Sequence, residues 1–332
     1  MGLYPPATVI SVYSVFTGVA ILLTALRFWV RLSYSPDPYL RRRLYWDDWF
    51  VILGLSVLCA CTGIQFWNAT HGAAGEAVSA ATKDAQALVE HKVDFSMIVI
   101  EKIAFGAIKL SLLFLYRRIF VFSGNFRLVN NIFMWIVAAW AISFFVADLL
   151  LCGAHPEIQL ALDQRPALLA CGDRGALLIA FAATSIITDL FVLALPMPYI
   201  WSLQMRRSKK ILATFVFLLG GISTLAGVLR LIFLSISYPM GRLTFGYKSP
   251  PQAQIPLVLQ VFNPTFWVMV EMCMGAWAAN LPVLTPVARG LTKMYKQSSL
   301  YKTLSNSSFD LEAKKDSSHY HESSISGSRG SG

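Results

Sequence analysis

Residues 128–151 read LVNNIFMWIVAAWAISFFVADLLL, with Asp148 as the single ionisable side chain and no proline or glycine to break a helix. A hydrocarbon core about 30 Å thick takes about 20 helical residues to cross, so this stretch is long and apolar enough to span a bilayer. Six further stretches of the same kind occur, from Thr8 to Val30, Asp48 to Trp67, Phe95 to Leu115, Ala176 to Trp201, Ile211 to Ile236 and Leu257 to Val287. Short polar loops separate them. The expected fold is all-α, a seven-transmembrane-helix bundle over residues 1–287, followed by a tail over 288–332.

Charge sets the expected orientation. Arg31, Arg41, Arg42 and Arg43 lie in the first loop, Arg117, Arg118 and Arg127 in the third, and Arg206, Arg207, Lys209 and Lys210 in the fifth. Basic residues mark the cytoplasmic side. The second, fourth and sixth loops hold only Lys83, Lys92, Arg165, Arg174, Arg242 and Lys248, and acidic residues offset the first four. The N-terminus is expected outside and the C-terminus in the cytoplasm, in a multi-pass protein of the plasma membrane or of an endomembrane.

A chain of 332 residues with 56% hydrophobic and 14% charged residues is too apolar for soluble domains. The net charge of +10 would suit nucleic acid, but the basic residues flank membrane helices instead of gathering on a soluble face, which excludes that partner. No basic segment precedes the first span, which reads as a retained helix and not as a signal peptide. Cys152 and Cys171 bracket the fourth loop on the oxidising side, where either a disulfide or two free thiols at helix ends would fit. Cys59, Cys61 and Cys273 lie within spans and read as packed thiols. No cluster of His, Cys and carboxylates suggests a metal, and no cofactor fingerprint or motif-bearing enzyme signature stands in the chain.

The second loop, His71 to Asp94, is rich in Ala, Glu, Gln and Lys and long enough for a small surface helix. Asn68-Ala69-Thr70 is a glycosylation sequon too close to the span to clear the membrane readily. After Val287 a basic segment with apolar residues suits the inner leaflet, and the serine-rich stretch from Ser298 onward is too polar to fold. Pro196 and Pro198 are expected to kink the fifth span and Pro264 the seventh. Gly220, Gly221 and Gly227, with Ser223 and Thr224, would let a neighbour approach the sixth closely.

Ionisable side chains within spans are costly, so they face the interior and mark either function or paired structure. They are Glu101, Lys102 and Lys109 in the third span, Asp148 in the fourth, Asp189 in the fifth, Arg230 in the sixth and Glu271 in the seventh. Lys102, Lys109 and Tyr116 recur every seven residues and share one face of the third helix, which is expected to point inward. One reading is a polar pocket or relay in which Lys109 or Lys102 pairs with Asp189 or Glu271. The other is a structural ion pair. Arg27, near the inner end of the first span, is expected to snorkel toward phosphate, outside any site.

Several segments together resemble the fungal rhodopsin-domain integral membrane proteins, the group of the appressorium-type receptor-like proteins and the satratoxin-cluster membrane protein. The likeness runs from Leu22 to Ala288. It rests on Arg27-Phe28-Trp29-Val30-Arg31, on Asp47-Asp48-Trp49, and on Lys109-Leu110-Ser111 through Tyr116-Arg117-Arg118-Ile119-Phe120. Cys152 with Cys171, Asp189, Leu195-Pro196-Met197-Pro198, Trp201-Ser202-Leu203-Gln204, Arg230-Leu231, Glu271 and Leu281-Pro282-Val283-Leu284-Thr285-Pro286 complete it. Two departures stand out: no Trp lies between the loop cysteines, and Ser185 occupies the region upstream of Asp189 where the family often has Asn.

The resemblance implies a receptor-like fold, and the residues limit the kind of receptor. A retinal Schiff base needs a lysine in the seventh span, and Leu257 to Val287 has none, since Lys248 and Lys293 fall outside it. The leading expectation is a G-protein-coupled-receptor-like protein that binds a small ligand from the outer side. Its cytoplasmic partner, a G protein or another effector, would meet Arg117, Arg118, Arg206, Arg207, Lys209 and Lys210. The alternative is a membrane-embedded enzyme or accessory protein of secondary metabolism using Asp148, Asp189 or Glu271 as an acid. A transporter would show internal repeats, and none is evident.

Overall fold

A computed structural model of the chain describes residues 6–33, 45–71, 80–119, 124–153, 171–198, 207–237 and 264–284. These residues form seven helices and no strand: α1 (Pro6–Ser33), α2 (Trp46–His71), α3 (Ala80–Ile119), α4 (Gly124–Leu149), α5 (Arg174–Ala194), α6 (Arg207–Ser237) and α7 (Pro264–Asn280). A 3₁₀ turn, Leu281–Leu284, follows α7. The expectations for the tail, Arg206 and the ends of the seventh span lie outside the described residues, as do the side chains of Asn68, Arg207, Lys209 and Lys210.

Six helices are long and apolar enough to cross a membrane, with spans at Ile10–Leu32, Trp46–Trp67, Asn125–Leu149, Arg174–Ala194, Val216–Ile236 and Thr265–Leu284. The protein is a multi-pass membrane protein. The exception is α3, which carries Glu101, Lys102 and Lys109 in its middle. Those charges are tolerable because of where α3 sits. Consecutive helices pack against each other, α7 closes on α1, and α3 also meets α5 and α7, so α3 runs through the interior. From Glu101 to Tyr116 it is buried on nearly every side, whereas Trp135, Ile142, Leu190, Leu218 and Leu225 on other helices face outward. An apolar exterior around a polar interior is what a hydrocarbon solvent selects.

Local chemistry explains the helix ends. Asp173 caps α5 by accepting from the Gly175 and Ala176 amides at 3.0 and 3.1 Å. α5 stops at Ala194, with Leu195 as its cap. Pro196 interrupts the helix there, because its ring removes the next donor, and Met197 and Pro198 are helical again. Pro264 is the first described residue of α7, so its expected kink falls at the edge of the described chain. α3 begins at Ala80 rather than near Phe95: the helix-forming loop composition does not make a separate surface helix but extends α3. Close packing appears where expected at two of the three α6 glycines. A Cβ on Gly220 would come within 2.3 Å of Leu193 and one on Gly227 within 3.2 Å of Ile186, while Gly221 faces open space.

Candidate functional site

Three polar clusters tie the bundle together. The first joins the ends of α1, α2 and α7. Arg27 is fully buried. Its Nε donates to Asp48 Oδ1 at 2.9 Å, one Nη to Asp47 Oδ2 at 2.6 Å, and the other to the Ala279 carbonyl at 2.7 Å. Arg31, one turn on, donates to Oδ2 of both carboxylates and shares Asp47 Oδ2 with Arg27. The expectation that Arg27 snorkels is thus overturned: two aspartates at the start of α2 neutralise it where it stands, and it satisfies a carbonyl that the end of α7 leaves without a helical partner. Asp48 also accepts from the Tyr45 amide at 3.1 Å, fixing the first turn of α2. The Ser111 hydroxyl donates to the Asp47 carbonyl at 2.9 Å and brings in α3. Arg118, exposed at the end of α3, stacks on the Tyr45 ring at 3.9 Å, and Arg117 is half-buried beside it.

Midway along α3 lies the second cluster. Lys109 Nζ donates to Thr188 Oγ1 at 2.7 Å, the Ser185 carbonyl at 2.9 Å and Ser185 Oγ at 3.1 Å. It also pairs with Asp189 Oδ1 at 3.0 Å. Ser185 Oγ in turn donates to Glu271 Oε1 at 3.1 Å, and Arg230 faces Glu271 Oε2 at 3.3 Å. Of the pairings open to the sequence, the structure brings together Lys109 with Asp189. Glu271 takes Arg230 as its partner, with Ser185 bridging the two pairs.

Lys102 goes elsewhere, to the third cluster. Its Nζ lies 2.6 Å from Glu101 Oε1 and 3.2 Å from Asp148 Oδ2, and 4.4 Å from the Phe181 ring. Arg230 approaches the same ring at 5.3 Å and Phe105 at 5.1 Å, while Trp140 stacks on Phe181 at 5.0 Å. Aromatic faces thus add negative potential beside the carboxylates. Sequence reading missed Ser185, Thr188, Phe181 and Trp140 as members of this core. Ser185 was visible only as a departure from the family pattern, and nothing in the sequence singled out the aromatics among so many.

Tyr116 is buried and stands apart from the ion pairs, on the wall of a cavity of about 30 Å³ that Lys109, Asp189, Glu271, Ser223 and Gly220 also line. That space admits a water molecule but is far below the several hundred Å³ of a small-molecule pocket. Asp189 Oδ2 and Glu271 Oε2 have no hydrogen-bond partner among the described residues. At the far end of α4, Cys152 and Cys171 form a disulfide. Cys61 and Cys273 are buried free thiols, and Cys59 is half-buried.

Comparison with known proteins finds fungal relatives. A polyenoic acids biosynthesis gene cluster protein, Ba17b, of Metarhizium anisopliae is 26% identical over 63% of this chain and 55% of its own length. Receptor GIN3 of Arthrobotrys oligospora is 24% identical over 67% of this chain and 51% of its own. The chain therefore spans about half the length of these curated relatives. No solved structure matches. The fungal rhodopsin domain matches residues 26–290, from the Arg27 clamp through Glu271 and past the end of α7, and the chain belongs to that family.

Proposed function

We propose that the protein is a seven-helix, G-protein-coupled-receptor-like membrane protein, with α3 as a true span, that binds a small ligand from the outer side and signals to a cytoplasmic partner. The observation that carries this reading is one continuous path of buried contacts. It runs from Asp148 through Lys102, Phe181, Arg230, Glu271, Ser185 and Lys109 to Asp189, touching α3, α4, α5, α6 and α7. Each contact has a charge on at least one side in a low-dielectric medium, so a shift at one end changes the balance at the next. The central cavity is too small for the ligand, which instead acts near Lys102, Glu101 and Asp148. Seven residues of α3 separate Lys102 from Lys109, about 10 Å along the axis.

The disulfide supports an outer location for the Cys152 end, since such bonds persist in oxidising compartments. The Arg31, Tyr45 and Arg118 end is then cytoplasmic, where Arg117, Arg118, Arg206, Arg207, Lys209 and Lys210 meet a G protein or other effector. Plasma membrane is the expected site. Protease protection of terminal tags in sealed vesicles tests the orientation: a C-terminal tag on the same face as the disulfide would refute it.

The name of the Metarhizium relative favours a second reading, an accessory protein or enzyme of a biosynthetic pathway. The two separate in a deletion strain complemented with the parent chain or with Lys102→Gln. A receptor restores the transcriptional response to exogenous culture extract, and Lys102→Gln does not. Loss of a secreted product with that response intact would favour the pathway role.

A further inference from the structure

Away from the ion-pair core, α2 near Trp67 lies beside the part of α3 around Lys92, twelve residues in from its start at Ala80. A trough of about 450 Å³ opens there, walled by Ala60, Gly63, Ile64 and Trp67 of α2 and by Lys92 and Val93 of α3. Ala60, Gly63 and Trp67 are exposed on its α2 side. The small side chains at Ala60 and Gly63 make the depression, and a Cβ added at Gly63 would meet nothing within 4 Å. Ser96 lies on the floor, but its hydroxyl is spent on the Lys92 carbonyl at 2.8 Å. The floor therefore offers little to water.

The α2 wall lies inside the span Trp46–Trp67. A trough of that size facing hydrocarbon must be filled: left empty its lining loses dispersion contacts, and water would find too few polar partners. Its mouth differs from its floor. Lys92, exposed, is the one charged residue among the described residues of the lining. It stands beside an indole, and cations and indoles of this kind gather at the level of lipid headgroups. From Trp67 back to Ala60 is seven residues, about 10 Å of helix, enough to seat the upper part of an acyl chain.

We propose that this trough is a binding site for one membrane glycerophospholipid, its acyl chain along Ala60, Gly63, Ile64 and Val93 and its phosphate on Lys92 Nζ. The ammonium selects the class: a phosphate complements it, whereas a sterol brings only a neutral hydroxyl.

The test uses the full chain in nanodiscs containing a photoactivatable phospholipid, with the labelled peptides located by mass spectrometry. Gly63→Leu fills the trough from a position where an added Cβ meets nothing within 4 Å, and Lys92→Gln removes the headgroup partner. Gly221→Leu, which also points into open space but on α6, is the matched control. The site requires labelling concentrated on α2 and α3 peptides, a several-fold loss in Gly63→Leu, a loss of about fivefold in Lys92→Gln, and no loss in Gly221→Leu. Equal labelling in the parent and both trough variants overturns the proposal. So does a photoactivatable sterol that labels the same peptides more strongly and is indifferent to Lys92→Gln. A melting curve on each variant identifies any that fail to fold, and the two trough variants then stand in for one another.

Discussion

The cluster at the Arg27 end and the cluster around Lys109 both pair basic with acidic side chains and are built differently. At Arg27 two guanidinium groups face two carboxylates across α1 and α2, each planar fork meeting oxygens directly. Around Lys109 the pairing is looser. A lysine shares three protons among four acceptors, a serine bridges two carboxylate systems, and oxygens of Asp189 and Glu271 beside the cavity are left without a hydrogen bond. Arginine forks preorganise and saturate their acceptors, whereas an ammonium is a point charge that can exchange partners. The first arrangement suits a clamp that holds three helices in place. The second suits a part that changes state.

Removing Arg27 is the most severe way to challenge that division. Arg27→Ala strands charge on Asp47 and Asp48 and frees the Ala279 carbonyl. A loss of about 4 kcal/mol is expected, as for other broken buried pairs. Thermal unfolding in detergent and folded yield measure it. Arg27→Lys should recover less than half, because no ammonium reproduces the fork.

Next in size is the Lys109 pair. Lys109→Ala or Asp189→Ala is expected to cost about 3 kcal/mol, with part returned in the double Lys109→Leu/Asp189→Leu, where no unpaired charge remains. If either single variant melts like the parent, the contact is not a buried pair. Should Lys109→Ala prove costlier than Arg27→Ala, the roles of clamp and moving part are reversed.

This contrast also shows what the sequence discloses. Hydropathy reads a helix against lipid, so the apolar stretches and their order were plain, and so was the inward face of Lys102, Lys109 and Tyr116. It does not read where a helix stops in water, which is why α3 reaches back to Ala80. Depth along the axis restricted the partners of Lys109 to two carboxylates, but rotation about the axis chose between them, and rotation is set by packing. Arg27 was misread for a related reason. Taken alone, an arginine near a span end looks like one that snorkels. The available signal was the pair: Arg27 and Arg31 share a face, and Asp47-Asp48 open the next helix with matching charge.

A smaller effect is expected at the opposite end from the clamp. The disulfide closes a loop of sequence separation 19. A free chain with such a loop would gain about 3 kcal/mol from closure, but α4 and α5 already hold the ends near each other, so Cys152→Ser is expected to lose about 2 kcal/mol. Peptide mapping without reduction should recover Cys152 linked to Cys171; both alkylated as free thiols would reject the bond. A loss as large as that of Arg27→Ala would move the structural anchor of the bundle from the clamp to the loop that Cys152 and Cys171 close.

The smallest effect separates charge from polarity. Thr17 Oγ1 and Thr62 Oγ1 meet at 2.8 Å between α1 and α2, both buried, and the Thr62 hydroxyl also bonds the Leu58 carbonyl at 2.9 Å. If Thr62 spends its proton on Leu58, Thr17 is the donor between them. Thr17→Val then removes one bond and leaves Thr62 satisfied through its own backbone. Thr62→Val leaves Thr17 to turn its hydroxyl back to the carbonyl one turn earlier, as Thr24 does toward Ala20 at 2.8 Å. Neither change strands a charge, and valine matches threonine in shape. The double Thr17→Val/Thr62→Val is therefore expected to cost about 0.6 kcal/mol or less, the scale of a typical hydrogen bond between membrane helices. A melting shift approaching that of Lys109→Ala would mean that buried hydroxyls, and not ion pairs, set the order of stability in this bundle.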